Sequence, residues 1–441
     1  MVSYNCLMTE SDWTLRALRG ALADGKLKAS ELADLALSRS NGNAGRNTYL
    51  WQDAEWTRSE AARAGAMPRG EGGRFGDGRS ALWGLPVAVK DCFDLAGTPT
   101  TMGVRFFAEL NGKAARDSWL VEQLRAAGAA IVGKTHVHPL TYGITGENPE
   151  FGDCTLPGDP GAFTGGSSSG AVASVLEGSA VAAIGTDTGG SVRAPAALGR
   201  IAGYRATLGR GDWRGGAHLA ESFDTMGWLF RDLEDAPLLA APFAPANAAP
   251  ARPFKRFAVV SADFLDDCEP EVAANLETVA RELECLGLER RTFDAGWWSV
   301  SREIFSPIQA WEAARVHAGH FERIQPDIRE RLEWGARIND AQIRVLRNLH
   351  KVFRERMDDL FAAQELLLLP AIPVARLAVG IDHSKTRPRL LRYTAPFSLA
   401  GVPAVTIPCA RGGMQLAAAR DCDESLLQLA GRLGEQRNRA Q

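Results

Sequence analysis

The chain has 441 residues, of which 45% are hydrophobic and 23% charged, values typical of a globular protein. Its formal net charge of -3, from 50 Lys+Arg against 53 Asp+Glu, excludes the basic footprint of a nucleic-acid-binding domain. No apolar run reaches the roughly 18 residues of a membrane span, and the amino terminus lacks a signal-peptide pattern. Seven cysteines without a C-x-x-C pair indicate reduced thiols. We therefore expect a cytoplasmic protein without membrane or nucleic-acid partners.

The first half of the chain alternates helical patterns with short apolar runs. Residues 11–38 show apolar residues at helical spacing and predict two helices. The valine-rich run 85–89 predicts a buried strand that ends at Lys90. Residues 117–128 predict a helix, and the AAIVGKT segment after it predicts another strand. A helix and a strand follow within 170–185. Such alternation predicts an α/β fold with a sheet covered by helices on both faces.

The second half contains the clearest linker-like segment, residues 236–253, which is rich in Ala and Pro. The segment KRFAVVS after it predicts a strand. Amphipathic spacing predicts long helices over about 270–290 and 309–363, and the apolar run 365–374 predicts a further strand. The linker either divides two domains or crosses the surface of one. Composition alone does not decide between these alternatives.

The segment TGGSSSG, residues 164–170, is the first of two stretches rich in glycine and serine. A phosphate-binding loop is one interpretation, but the lysine and spacing of a P-loop are missing. A nucleophile elbow is another, because GSSSG matches G-x-S-x-G and would make Ser168 the nucleophile. That elbow requires a strand directly before it. The sequence CTLPGDPGAF, residues 154–163, predicts a loop there instead.

The second stretch, GTDTGGSVRAP at residues 185–195, directly follows an apolar strand. Paired glycines beside a serine allow successive N–H groups to converge, as an oxyanion hole beside a nucleophile requires. Ser191 would be the nucleophile, and it needs a base. Lys90 is a candidate, because burial at a strand end would lower the pKa of its amine. Considered singly, an ordinary turn and a lysine that reaches solvent or pairs with Asp91 are the more frequent explanations.

Taken together, the motifs resemble the amidase signature family. The matching segments are LPVAVKD (85–91), GKT (133–135), GGSSSG (165–170), GTDTGGSVRAPAA (185–197) and YTAPFSLAGVPAVTIPC (393–409). The similarity covers roughly residues 10–430. It implies a central mixed β-sheet covered by helices on both faces, in a single domain over residues 1–441. It also implies a catalytic core at about 80–230 and a variable helical pocket region at about 300–363.

The resemblance implies a role for each matching residue. Lys90 corresponds to the catalytic lysine, Ser167 to a bridging serine held by a cis peptide, and Ser191 to the nucleophile. Four backbone N–H groups would form the oxyanion hole, those of Thr188, Gly189, Gly190 and Ser191. Asp187 and Arg193 match a motif pair that holds this loop in shape. The loop after GKT supplies the expected substrate-binding residues, Thr141, Tyr142 and Gly143.

The chain departs from the family pattern close to these residues. GGSSSG has Ser169 where the family usually has glycine, which adds a side chain beside the proposed relay. The usual asparagine after GKT is replaced by His136, and a common acidic or amide position nearby is occupied by His138 or Pro139. These changes leave the three catalytic positions intact and alter the expected pocket.

The resemblance implies an enzyme, an amidase that hydrolyses a carboxamide C–N bond to a carboxylic acid and ammonia or an amine through an acyl-enzyme. No metal or organic cofactor is expected, because the spacing His317-x-x-His320 has no evident third ligand. The expected partner is a small-molecule amide, and homodimers are common among relatives. Two alternatives stay open: the glutamine-hydrolysing A subunit of a tRNA-dependent amidotransferase, and a non-catalytic binding homologue. Esters and carbamates are further substrate candidates.

Overall fold

The computed structural model describes residues 13–42, 45–67, 81–243 and 250–440. The strands in these ranges are β1 (Tyr49–Trp51), β2 (Pro86–Lys90), β3 (Ala130–Thr135), β4 (Thr155–Leu156), β5 (Asp159–Phe163), β6 (Ala182–Thr186), β7 (Ala202–Arg205), β8 (Met226–Phe230), β9 (Arg256–Val260), β10 (Glu289–Phe293), β11 (Leu366–Pro370), β12 (Ala404–Pro408) and β13 (Gly413–Ala418). The helices are α1 (Leu15–Ala23), α2 (Ala29–Asn41), α3 (Ala54–Ala66), α4 (Arg105–Asn111), α5 (Trp119–Ala126), α6 (Ser169–Glu177), α7 (Arg193–Gly199), α8 (Ala236–Ala240), α9 (Pro270–Ala273), α10 (Asn275–Cys285), α11 (Ser301–Val316), α12 (Pro326–Ala336), α13 (Asp340–Gln364), α14 (Thr386–Ala400) and α15 (Asp423–Ala440). Across the described ranges, no helix combines the length and apolarity needed to cross a bilayer.

Eleven of these strands form one mixed sheet in the order β1-β3-β2-β6-β8-β7-β12-β13-β11-β9-β10. Strand β2 pairs in parallel with β3 on one side and β6 on the other. Strand β8 runs antiparallel to both β6 and β7, and β12 joins β7 in antiparallel pairing. Strands from before and after residues 244–249 therefore belong to the same sheet.

Helices cover both faces of this sheet. Val87 and Val89 of β2 pack into the large hydrophobic core, whereas Ala88 packs into a smaller cluster with Val172 and Val175 of α6. Side chains alternate across a strand, so the two clusters lie on opposite faces. The predicted α/β fold class, with a central mixed sheet covered on both faces, is confirmed.

The predicted elements that frame the two glycine-rich segments are confirmed. The strand that ends at Lys90 is β2, the helix within 117–128 is α5, and AAIVGKT forms β3. The helix and strand within 170–185 are α6 and β6. The carboxyl ends of β2 and β6 consequently lie next to each other, because the two strands are parallel neighbours.

The loop predicted for residues 154–163 is wrong. This segment forms an antiparallel hairpin of β4 and β5. Its Pro and Gly residues supply the turn, in which Gly158 has φ of 85°, a value that glycine adopts without strain. A strand therefore does precede GGSSSG, so the absence of a strand does not exclude a nucleophile elbow.

Two further boundaries differ from the predictions. The helix expected over 270–290 ends at Cys285, and β10 begins at Glu289 and pairs with β9. The linker-like segment 236–253 begins as helix α8, because Ala236 and Leu239 are buried in the core. Its residues 244–249 lie outside the described part of the chain.

Candidate active site

The site begins where β2 and β6 end side by side. Val89 lies opposite Ile184, so Lys90 and Thr186 leave the sheet as neighbours. Lys90 Nζ lies 2.7 Å from Thr186 Oγ1 and 2.8 Å from Ser167 Oγ. The lysine is fully buried, so its polar contacts are those that the fold supplies.

The buried amine of Lys90 is held by hydroxyl groups. Within the described ranges it forms no ion pair, and a buried ammonium without a carboxylate is costly. Burial lowers the pKa of Lys90 to about 8, although Cys92, Asp224 and Asp187 act to raise it. A useful fraction of the amine is consequently neutral near pH 7 and able to accept a proton.

Ser167 lies in the loop between β5 and α6, directly after a Gly166–Ser167 cis peptide bond. Space before it is tight, because a Cβ on Gly166 would lie 3.1 Å from the carbonyl carbon of Ile144. Ser168 points elsewhere: its Oγ lies 3.3 Å from both the N and the O of Thr186. Ser168 therefore fastens the loop to the end of β6.

Ser191 lies in the loop between β6 and α7. It is 8% exposed, whereas Lys90 and Ser167 are completely buried. The backbone N–H of Ser168 donates to the Ser191 carbonyl at 3.4 Å, which joins the two serine-bearing loops. The fold thus brings the loops of Ser167 and Ser191 together at the end of the sheet, where Lys90 bonds to Ser167. Within the described ranges no hydrogen bond joins the Ser167 and Ser191 hydroxyl groups.

The backbone of this loop offers N–H groups for an oxyanion. Gly190, with φ of 119°, donates its N–H to Asp187 Oδ1 at 2.8 Å. The N–H groups of Thr188, Gly189 and Ser191 have no acceptor within the described part of the chain. Of the four N–H groups expected to form an oxyanion hole, that of Gly190 donates to Asp187, and within the described ranges the other three have no acceptor; the oxyanion hole itself stays a prediction.

A buried ionic network fixes the shape of the loop. Arg193 Nε and Nη2 donate to the two oxygens of Asp187 at 3.0 and 2.9 Å, and Arg205 Nη1 donates to Oδ1 at 2.9 Å. Burial alone would raise the pKa of Asp187, but Arg193 and Arg205 hold it below its usual range. Arg205 was not among the predicted residues. An arginine inside a short apolar strand is the signal that could have found it.

We expect Asp187→Asn to destabilise the protein by about 3–5 kcal/mol, because two buried guanidinium groups would lose their carboxylate. The free energy of unfolding from urea titration measures this loss. The matched control is Asp159→Asn, since the Asp159 pair with Arg376 is about half exposed. Its expected loss is below about 1 kcal/mol. Equal losses in the two variants would contradict the structural role of Asp187.

A second carboxylate supports the same loop from the β8 side. Asp224 accepts from Thr188 Oγ1 at 2.7 Å and from His218 Nδ1 at 3.0 Å. It also accepts from the backbone N–H of Leu219 at 2.9 Å. This residue was not among the predicted site residues. It orients Thr188, whose N–H is one of the three free donors.

Ser169 is the first residue of α6. Its hydroxyl is buried and has no hydrogen-bond partner within the described ranges. We expect Ser169→Ala to leave the free energy of unfolding unchanged or higher, since no hydrogen bond is lost and a buried polar group is removed. Ser168→Ala is the matched control and should cost about 1 kcal/mol, because it removes the bonds to Thr186. Thermal unfolding of both variants checks this; a larger loss for Ser169→Ala would contradict it.

An open cavity of about 800 Å³ is lined by residues of the 138–153 segment, α12 and α14. Two of its lining residues, Gly143 and Ile144, have backbone atoms 3.2 and 3.1 Å from the position of a Cβ on Gly166, next to Ser167. Of the three expected binding residues, Gly143 lines it, whereas Thr141 and Tyr142 are buried behind it. Leu140 and Thr141 form a tight turn here, with φ of 54° and 58°. His138 also lines the cavity, and burial keeps its pKa well below the usual range.

The pair His317 and His320 packs on aromatic rings. His317 lies 5.6 Å from the ring of Phe107 and His320 lies 5.3 Å from Phe106. Among the residues described, no group of three or more His, Cys, Asp or Glu side chains is placed to hold a metal ion.

The fold and the motifs agree with comparisons to known proteins. The family model described as Amidase matches residues 47–427, from before β1 into α15. The chain therefore belongs to the amidase signature family. A solved amidase structure superimposes with a TM-score of 0.84 at 30% identity, covering 96% of this chain and 99% of that one.

Two curated relatives differ in what their names describe. The A subunit of the glutamyl-tRNA(Gln) amidotransferase of Burkholderia ambifaria is 28% identical over 458 aligned residues, covering 90% of each chain. The indoleacetamide hydrolase of Pseudomonas savastanoi is 37% identical over 227 residues, covering 51% of this chain and 47% of the relative.

Proposed function

We propose that the protein hydrolyses a small carboxamide to a carboxylic acid and ammonia or an amine, with Ser191 as nucleophile, Ser167 as proton bridge and Lys90 as base. The observation that carries this proposal is the buried, unpaired amine of Lys90, 2.8 Å from Ser167 Oγ. A serine is a weak nucleophile until a base activates it. An amine with a lowered pKa is such a base.

The proposed reaction follows from this arrangement. Neutral Lys90 takes a proton from Ser167, which takes one from Ser191 as that oxygen attacks the amide carbonyl. The N–H groups of Thr188, Gly189 and Ser191 stabilise the oxyanion. The relay then returns a proton to the leaving nitrogen, and water hydrolyses the acyl-enzyme on Ser191. This chemistry requires neither a metal nor an organic cofactor.

The wider expectations are part of the same proposal. We propose a single domain over residues 1–441, which the shared sheet on both sides of residues 244–249 supports. We further propose that the enzyme acts in the cytoplasm on a small-molecule amide, by itself or as a homodimer. Nucleic acid and membranes are not among its proposed partners.

The relatives supply a second candidate, a glutamine-hydrolysing component of an amidotransferase. The likeness to the amidotransferase A subunit over 90% of the chain favours it. The likeness to indoleacetamide hydrolase favours a free-standing amidase instead. A binding homologue without catalysis would have no use for a buried unpaired lysine.

The test is ammonia release from aliphatic, aromatic and indole-bearing primary amides and from glutamine, with the purified chain alone. We expect turnover of at least one primary amide without any other protein present. Hydrolysis confined to glutamine would favour the amidotransferase alternative. Absence of turnover on every amide, together with failure to label with a fluorophosphonate, would favour the binding homologue.

A further inference from the structure

One face of α14 connects the loop of Ser191 to the open cavity. Thr394 Oγ1 donates to the Gly189 carbonyl at 2.6 Å, and Leu391 lies 3.2 Å from the position of a Cβ on Gly189. Arg387, which lines the cavity, precedes these residues by one and two helical turns. Residues at spacings of four and seven share a helix face. Arg387 thus lies on the face that contacts the proposed oxyanion loop, about 10 Å along the helix from Thr394.

Helix α11 also contacts both the proposed oxyanion loop and the side chain of Arg387. Phe305 would contact a Cβ on Gly189 at 2.8 Å, so this helix also packs on the oxyanion loop. One turn further along, Gln309 Oε1 accepts a hydrogen bond of 3.0 Å from Arg387 Nη2. The guanidinium is therefore positioned by a neutral side chain that leaves its charge uncompensated.

Arg387 has no counter-ion among the described residues. Within the described ranges no carboxylate lies within 4.0 Å of its guanidinium, which is partly buried and lies 5.5 Å from the ring centroid of Tyr142. Arg331 contacts the same ring at 4.6 Å but has a partner in Asp327 at 3.1 Å. Burial and then the charge of Arg331 lower the pKa of Arg387 to about 10, so it stays positive at neutral pH. A partly buried cation without a partner favours binding of an anion.

The carboxylates that line the cavity have other contacts. Glu147 accepts from Thr145 Oγ1 at 2.7 Å, Asp153 from the backbone N–H of Asn148 at 2.9 Å, and Asp382 from Ser384. Asp327 pairs with Arg331, and Glu330 is exposed. Within the described ranges none of these carboxylates forms an ion pair with Arg387.

We infer that Arg387 binds a carboxylate of the substrate, so that the preferred amides are ω-amides of dicarboxylic acids or similar anionic amides. This inference rests on the proposed function, since it places the amide at Ser191 and the carboxylate in the cavity. Arg387 would form charge-assisted, bidentate hydrogen bonds that a neutral amide cannot form.

The test compares ω-amic acids that have two to six methylenes with neutral amides of the same length that carry a hydroxymethyl group in place of the carboxylate. For at least one chain length, we expect wild-type kcat/KM to be about 10- to 100-fold higher for the acid. Arg387→Gln should remove this preference, so that kcat/KM for the acid lies within about 3-fold of that for the neutral amide of the same length. Arg387→Lys should keep part of it, because the charge remains.

The matched control is Arg389→Gln on the same helix. Arg389 Nη2 donates to the Asp267 carbonyl at 2.6 Å, outside the cavity, so the preference should persist.

A wild type that hydrolyses neutral and anionic amides equally at every length would overturn the inference and leave the proposed function intact. The same holds if folded Arg387→Gln keeps the preference. If Arg387→Gln does not fold, the inference is tested by the wild-type preference for acids over neutral amides and by the part of that preference that Arg387→Lys keeps. Absence of turnover on every amide would instead overturn the proposed function, and this inference with it.

Discussion

Replacing Ser191 by alanine is expected to lower kcat by at least about 10⁴-fold, because no acyl-enzyme can form without the hydroxyl. Ser191 is the only member of the proposed catalytic set with any exposure, at 8%, so it is the one a substrate can reach. The substitution removes a single atom, and the free energy of unfolding should change by less than about 1 kcal/mol. Initial rates of ammonia release measure the effect.

Ser168→Ala is the control for this experiment, because Ser168 is the serine that matches G-x-S-x-G. Its hydroxyl bonds to the backbone of Thr186, and within the described ranges it forms no hydrogen bond with Lys90. We expect this variant to keep turnover despite a modest loss of stability. Full turnover by Ser191→Ala, or its loss only in Ser168→Ala, would show that the nucleophile has been assigned to the wrong serine.

Lys90→Met is expected to lower kcat by about 10²- to 10⁴-fold, because it removes the proposed general base while keeping an unbranched side chain in the buried site. Lys134→Met is the matched control for removal of a buried lysine. Lys134 pairs with Asp91 at 2.6 Å, so this control should lose stability, while folded protein keeps its catalytic relay. Equal turnover by Lys90→Met and wild type would contradict the assignment.

The pH profile tests the same residue in the wild type. Only the neutral amine accepts a proton, so kcat/KM should fall about tenfold per pH unit below the lowered pKa of Lys90, about 8. Lys90→Met should lack this limb. A wild-type rate that is flat down to about pH 5, well below even a strongly lowered lysine pKa, would argue against a lysine base.

Stability should vary with pH in the corresponding direction. The pKa of Lys90 falls from an ordinary 10.5 to about 8 on folding. Between these values the unfolded chain binds more protons than the folded one, so the Lys90 contribution to the free energy of unfolding increases as pH rises. Lys90→Met should lack that contribution. Denaturant titrations of both proteins at pH 7 and pH 10 provide the comparison.

The sequence predicted the strand ends at Lys90 and before Asp187 because buried parallel strands have a distinct apolar pattern. It also contained the two serine-bearing motifs, and their geometry in the fold supports the proposed relay. The loop predicted for residues 154–163 was wrong, because their Pro and Gly residues lie inside a hairpin of β4 and β5. Only pairing between strands reveals such an element.

Residues that act through distant contacts could not be predicted from local pattern. Arg205 contacts Asp187 because the sheet brings their strands close together. Arg387 lies at the cavity on α14, the helix that packs on the loop of Ser191. An arginine in a short apolar strand is a local signal for Arg205, but it does not indicate the partner Asp187, and Arg387 has no such signal. Tyr142, which the resemblance suggests as a substrate-binding residue, is buried with Arg331 4.6 Å from its ring centroid, and its binding role stays a prediction.

The most direct test of the central claim is to identify the residue that becomes acylated. The wild type would be treated with a fluorophosphonate, digested, and mapped by mass spectrometry, with Ser191→Ala and Lys90→Met treated in parallel. We predict one adduct on Ser191, none on Ser191→Ala, and much slower labelling of Lys90→Met. An adduct on Ser168 or Ser167 in the wild type, with Ser191 unmodified, would contradict the proposed relay.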